Sequence, residues 1–154
     1  MLKRVLIVYK GNTCRSPMAV AILVDLLERG GHSQSVEVHS AGIWAVEGQP
    51  ATLDAQKVMH ERGLDVSKHR AHLLSAGDIR AADLLVTMEA GIAEVIGIEA
   101  PSAASKTVTL GHLADDPRDV DDPIGRGLDE YRRVADLLTG MLQRAYGRIV
   151  SPSH

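Results

Sequence analysis

The chain has 154 residues, 45% hydrophobic and 24% charged, the composition of one globular domain able to bury its own core. A net charge of −3, 3% aromatic residues and no phenylalanine exclude a basic or stacking surface for nucleic acid. One cysteine, Cys14, excludes an intrachain disulfide and a thiolate-rich zinc site. The apolar run Val5 to Val8 after Lys3 and Arg4 is too short for a secretory or membrane segment. A cytoplasmic protein without membrane contact is the expectation, with a domain over residues 1–150 and a short tail over 151–154.

Lys3–Tyr9 is a β-branched run without alternation, the pattern of a central strand buried on both faces. A loop over 11–16 follows, with Pro17 expected as the first helical residue. Met18, Ile22, Leu23, Leu26 and Leu27 then recur at helical spacing until Gly30 and Gly31. Residues 36–40 read as a second strand, 41–50 as a loop, and Ala55, Val58, Met59 and Arg62 as a helix ending at Gly63. Residues 83–88 form a third predicted strand, followed by a helix carrying Ile92, Val95 and Ile96, and 107–110 form the fourth. A polar loop over 111–125 precedes the clearest helix, in which Val134, Leu137, Leu138, Met141, Leu142 and Ala145 share one face. Strands alternating with helices imply right-handed crossovers, and hence a single α/β domain with a four-stranded parallel sheet covered by helices on both faces. Ligands of such sheets bind beyond the carboxyl ends of the strands, which directs attention to the loops after Tyr9, Ser40, Met88 and Leu110.

The loop after the first strand has the makings of an anion cradle. Gly11 and Asn12 tolerate positive φ, the next helix offers its N–H groups and positive dipole end, Arg15 a guanidinium fork and Ser16 a hydroxyl. Inorganic phosphate or a similar anion is the expected guest. The plainer reading is a βα turn with Ser16 as helix cap and Arg15 on the surface.

At this point the sequence resembles a known family. The stretch VLIVYKGNTCRSPMAVAIL is similar to the V-C-x-G-N-x-C-R-S-P loop of the low-molecular-weight protein tyrosine phosphatases. Further resemblances follow in the family's order: Ser40-Ala41-Gly42, the stretch ERGLDVSKHRAHL, DLLVTME, and DVDDPIGRGLDEY with its Asp-Pro pair. The resemblance implies a Rossmann-like phosphatase fold and cofactor-free hydrolysis of a protein phosphate, phosphotyrosine or phosphoarginine, through a covalent phosphocysteine. It assigns phosphate binding to Gly11, Asn12, Thr13, Cys14, Arg15 and Ser16, catalysis to Arg15 and to Asp122 as general acid, and a substrate wall to Trp44. Thr13, in G-N-T-C-R-S-P-M-A, looks more like the bacterial arginine-phosphate branch.

The departure falls on the nucleophile. Five residues separate Tyr9 from Arg15, so by resemblance Tyr9 holds the position of the missing thiol, and Cys14 matches the family's second, accessory cysteine. A phenol with a pKa of about 10 and a bulky ring is a poor substitute. Val20 and Ile124 depart in the same direction, standing where the family commonly has Glu and an aromatic residue. The implied function is therefore a family member impaired in catalysis, a pseudophosphatase. The alternatives are an active phosphatase in which Tyr9 is engineered or misread, and a non-enzymatic regulator that binds phosphoproteins.

The remaining candidates carry less. Asp115, Asp116, Asp119 and Asp121 crowd the loop of Asp122, and mutual repulsion is expected to raise their pKa values. Trp44 either stacks on a flat substrate group or lids the sheet edge. The seven histidines show no H-x-x-x-H or H-E-x-x-H pair, so no metal is expected. His69 is expected to hold a loop, and the methionines to pack the core.

Overall fold

A computed structural model describes residues 2–152. The sheet contains β1 (Lys3–Tyr9), β2 (Val36–Gly42), β3 (Leu84–Thr87) and β4 (Thr107–Thr109), all parallel, in the order β2-β1-β3-β4. The helices are α1 (Arg15–Gly30), α2 (Leu53–Glu61), α3 (Ala76–Ala81), α4 (Ala90–Glu99), α5 (Leu110–Leu113) and α6 (Leu128–Val150). A 3-10 helix, Pro101–Lys106, joins α4 to β4. The expected tail starts where α6 ends, and its residues 153–154, His154 among them, lie outside the described residues, as does Met1.

β1 pairs with β2 on one side and β3 on the other, so the chain reverses its winding direction at the end of β1. That reversal opens a crevice beyond the carboxyl end of the strand, where α/β sheets bind their ligands. Both faces of β1 are buried, as its uninterrupted apolar run requires. Val5, Ile7 and Tyr9 pack toward α1, α2 and α6 in the larger core, while Leu6 and Val8 pack toward α3 and α4 in the smaller one. Met18, Met59, Met88 and Met141 are all buried, in keeping with a packing role.

Several boundaries differ from the sequence expectations. Helix α1 starts at Arg15, with Cys14 in the capping position, so Pro17 is its third residue rather than its first. Proline fits there because N–H groups of the first turn have no partner within the helix to lose. Ser16 is not the cap; its hydroxyl donates to Asn12 Oδ1 at 2.6 Å. Strand β2 continues to Gly42, β4 stops at Thr109, and Thr109 then caps the short α5 by accepting from the His112 N–H. Helix α3 was not anticipated, although Ser75-Ala76-Gly77-Asp78 forms a reciprocal capping box.

Candidate active site

The loop between β1 and α1 is held from outside by its carbonyls. Tyr9 O accepts from Ile43 N at 2.9 Å, Lys10 O from Trp44 N at 3.0 Å and Thr13 O from Thr52 N at 2.9 Å. The His69 ring donates from Nε2 to Asn12 O at 2.6 Å, which is the loop-holding part expected of it. In a planar trans peptide each carbonyl opposes the following N–H, so the N–H groups of Lys10, Gly11, Thr13 and Cys14 turn away from these flanks toward the loop's interior. Asn12 takes a φ of 59°, the left-handed conformation that lets the chain curl. A second constraint comes from Gly42, where a Cβ would run into the Lys10 carbonyl. The backbone therefore curls at Asn12 with these carbonyls turned outward.

Its interior is already filled. The Tyr9 side chain is 1% exposed, and the Arg15 guanidinium carbon lies 4.3 Å from the centroid of its ring. Arg15 itself is 3% exposed and donates to Glu89 and to the Val120 carbonyl, the latter at 2.6 Å. Asp122 Oδ2 stands 3.9 Å from the other guanidinium nitrogen. A desolvated cation over an aromatic face contributes about 2 kcal/mol, and hydrogen bonds to a charged group about 1.5–3 kcal/mol each. The fork expected to clasp an anion is thus engaged by protein groups. Burial pushes the Tyr9 phenol well above its ordinary value of 10, partly offset by Arg15, so its hydroxyl stays protonated. Tyr9 Oη and Asn12 Nδ2 are buried without a hydrogen-bond partner among the described residues.

The other predicted residues fall around this centre. Cys14 Sγ lies 3.5 Å from Tyr131 Oη, which also accepts from Thr52 Oγ1 at 3.2 Å; both place the thiol on the loop's inner flank against α6. Thr13 is half-buried beside it. Gly11 is exposed at the rim, and Asp122 accepts from Ile124 N at 3.0 Å in the Asp-Pro turn. Trp44 is 70% exposed and lies between the cradle and a second recess. Lys10 links it to the centre: the ammonium sits 6.0 Å over the indole and 3.4 Å from Glu89.

The expectation that the carboxylates near Asp122 raise one another's pKa values fails at Asp116. Asp116 pairs with Arg118 and Arg144, and chiefly Arg118 holds its carboxyl down at about 2. Asp115 pairs with Arg148, Asp121 lies 3.9 Å from Arg133, and Asp119 accepts from the N–H of Ala90. Each acid has an arginine or a backbone donor within reach.

Two participants escaped the sequence reading. Glu89, which binds Arg15, lies just past β3 in a loop that the sheet rule marks as a place for ligands. Tyr131 closes the stretch DVDDPIGRGLDEY that carried the family resemblance, but no contact with Cys14 was read for it. Among the described residues there is no cluster of acidic, histidine or cysteine side chains placed to hold a metal, and no helix long and apolar enough to cross a membrane.

Comparison with known proteins agrees with this architecture. The model of the low molecular weight phosphotyrosine protein phosphatases matches residues 4–149. A protein-arginine-phosphatase from Geobacillus stearothermophilus is 37% identical over 142 residues, 92% of each chain. A probable low molecular weight protein-tyrosine-phosphatase, EpsP, from Ralstonia solanacearum is 39% identical over 123 residues, covering 80% of this chain and 79% of that one. The crystal structure of a YwlE mutant from Bacillus subtilis superposes with a TM-score of 0.90 at 29% identity, covering 97% and 99% of the two chains. Together with the parallel sheet and the cradle at its winding reversal, these matches show that the chain belongs to the low molecular weight phosphotyrosine protein phosphatase family.

Proposed function

We propose that this chain is a phosphatase-family protein acting at protein phosphate groups, whose catalysis is impaired because Tyr9 occupies the place of the nucleophilic thiol. One observation carries the reading: the Tyr9 ring lies inside the cradle, stacked under an Arg15 guanidinium that Glu89 and Val120 already engage. Attack on phosphorus needs a deprotonated nucleophile at the cradle's base, and this phenol is neutral and buried. The position of Asp122 supports its part as general acid. Asp122 stands beside Arg15, where it would donate a proton to the leaving oxygen or nitrogen and then take one from the attacking water. The Thr13 side chain and the relative named protein-arginine-phosphatase both support phosphoarginine as the ancestral substrate. The closed guanidinium weighs against a pure phosphoprotein-binding role, since a phosphate would have to displace Glu89 and share space with the ring.

The test is Tyr9→Cys, assayed with an aryl phosphate and with a phosphoarginine peptide. Restoring the thiol is expected to raise turnover by at least roughly 10³-fold over the native chain, since triad knockouts show how much a nucleophile supplies. In that background Asp122→Asn is expected to lower kcat by about 10²-fold or more. Equal turnover with and without Tyr9→Cys would overturn the reading, as would tight phosphopeptide binding by the native chain, which would favour the regulator.

A further inference from the structure

A second charged cluster, outside the cradle, joins three segments of the chain. The His72 ring lies between two carboxylates, with Nδ1 3.1 Å from Glu47 Oε2 and Nε2 2.7 Å from Asp78 Oδ2. An imidazole can satisfy two acceptors at once only when both nitrogens carry a proton. Each carboxylate is itself anchored. Glu47 Oε1 accepts from Leu73 N at 3.0 Å, and Asp78 Oδ2 accepts from Ser75 N at 2.8 Å as part of the α3 capping box.

Glu47 belongs to the loop that carries Trp44. That loop is laid against residues 71–74 by backbone bonds: Gly42 N to His72 O at 2.9 Å, Leu74 N to Gly42 O at 2.9 Å, Gly48 N to Ala71 O at 2.8 Å and Ala71 N to Gln49 O at 2.7 Å. Asp78 belongs to α3. Ile43, Trp44, Leu74, Ile79 and Val95 line a recess of about 660 Å³. His72 therefore ties the loop that lends Ile43 and Trp44 to this recess to the helix that lends Ile79.

We propose that His72 is a proton-operated latch: its imidazolium clamps the Trp44 loop, through Glu47, to Asp78 of α3, and its neutral form lets go of one carboxylate. Loss of one proton leaves a ring nitrogen with a lone pair facing a carboxylate, so attraction at that contact turns into repulsion. The two acids hold the His72 pKa above its ordinary 6.5, the hydrogen bond to Glu47 most of all, against a smaller opposing effect of burial. Other groups near the ring are His39 of β2, which pairs with Glu37, and Arg70 and His69 of its own stretch. Burial chiefly lowers the His69 pKa, so the two histidines titrate on opposite sides of 6.5. The latch is closed in mildly acidic solution and loosens as the pH rises through the His72 pKa.

Trp44 is the only tryptophan of the chain, so its emission reports on this loop alone. The experiment follows Trp44 fluorescence of the full chain from about pH 5.5 to 8.5 alongside the NMR titration of the His72 ring. The expected result is one common one-proton transition with its midpoint above 6.5. Glu47→Gln is expected to move both midpoints down together, and His72→Arg to hold the emission at its low-pH value throughout. A His72 midpoint at or below 6.5 would overturn the proposal, as would Trp44 emission that is flat across the His72 titration or unchanged in its pH response by His72→Arg. None of these outcomes depends on phosphatase activity.

Discussion

Beyond the carboxyl ends of β1 and β2 two cations each lie between two acids: Arg15 between Glu89 and Asp122, and His72 between Glu47 and Asp78. Their surroundings differ. The Arg15 side chain is 3% exposed and is pressed on the Tyr9 ring, whereas the His72 side chain is 44% exposed. A guanidinium keeps its charge at any pH a folded protein survives, so the first clamp is permanent. An imidazole loses its charge within the physiological range, so the second is conditional. The same geometry thus holds a permanent charge in one place and a titratable one in the other. Burial decides how much stability each clamp holds.

The comparison breaks most visibly at Arg15. Arg15→Ala takes the buried guanidinium off the Tyr9 ring and away from Glu89 and the Val120 carbonyl, leaving Glu89 with Lys10 alone, and is expected to cost about 3 kcal/mol. Urea denaturation would measure it, and a loss below about 1 kcal/mol would mean that the guanidinium is solvated and the cradle open. Acid should reveal the same pair from the other side. Glu89 titrates below its ordinary 4.5 because Arg15 and Lys10 outweigh its burial. Its contribution is therefore complete above 4.5 and is lost as the pH falls through the lowered value. Stability measured between about pH 5 and 3 should fall less steeply in Arg15→Ala than in the native chain. A smaller effect is expected from Tyr9→Phe. The Tyr9 hydroxyl is buried without a partner among the described residues, so deleting it should leave stability unchanged or raise it by about 1 kcal/mol. A loss of that size would instead place an acceptor at Oη.

The two clamps also differ in how far the sequence announced them. Strand β1 was legible because five consecutive residues, Val5–Tyr9, are buried whichever face they point to, and α6 because its apolar face recurs from Val134 to Ala145. The cradle was legible because the glycine, asparagine, arginine and serine needed to fold it fall within six residues, 11–16. Their use was not: a run of neighbours reveals who surrounds an anion, but not that Glu89, 74 positions away, already fills the role of that anion. The His72 clamp was hidden for the same reason. Its partners come from 25 residues before and 6 after, and only the pairing of the loop with residues 71–74 brings them together. Helix α3 was missed because none of its six residues is buried, so periodicity had nothing to register, although its capping box was readable. The acidic loop misled in the opposite direction at Asp116, which looks repelled by its neighbours until Arg118 of the loop and Arg144 of α6 reach it.

The smallest effect is the most discriminating. Because water reaches His72, replacing it by glutamine should cost no more than about 1 kcal/mol at pH 6, far less than Arg15→Ala. The sign of its pH dependence is opposite to that of Glu89. A histidine whose folded pKa is raised contributes fully below 6.5 and loses that contribution as the pH rises through the raised value. The stability difference between the native chain and His72→Gln should therefore be present at pH 6 and vanish by about pH 8.5. Half-molar salt should shrink it further, because an exposed pair is screened, while the buried Arg15 pair should be nearly indifferent to the same salt. If salt weakened both pairs alike, Arg15 would be as open to solvent as His72. The cradle would then be free to take a phosphate, and the contrast between a permanent and a conditional clamp would collapse.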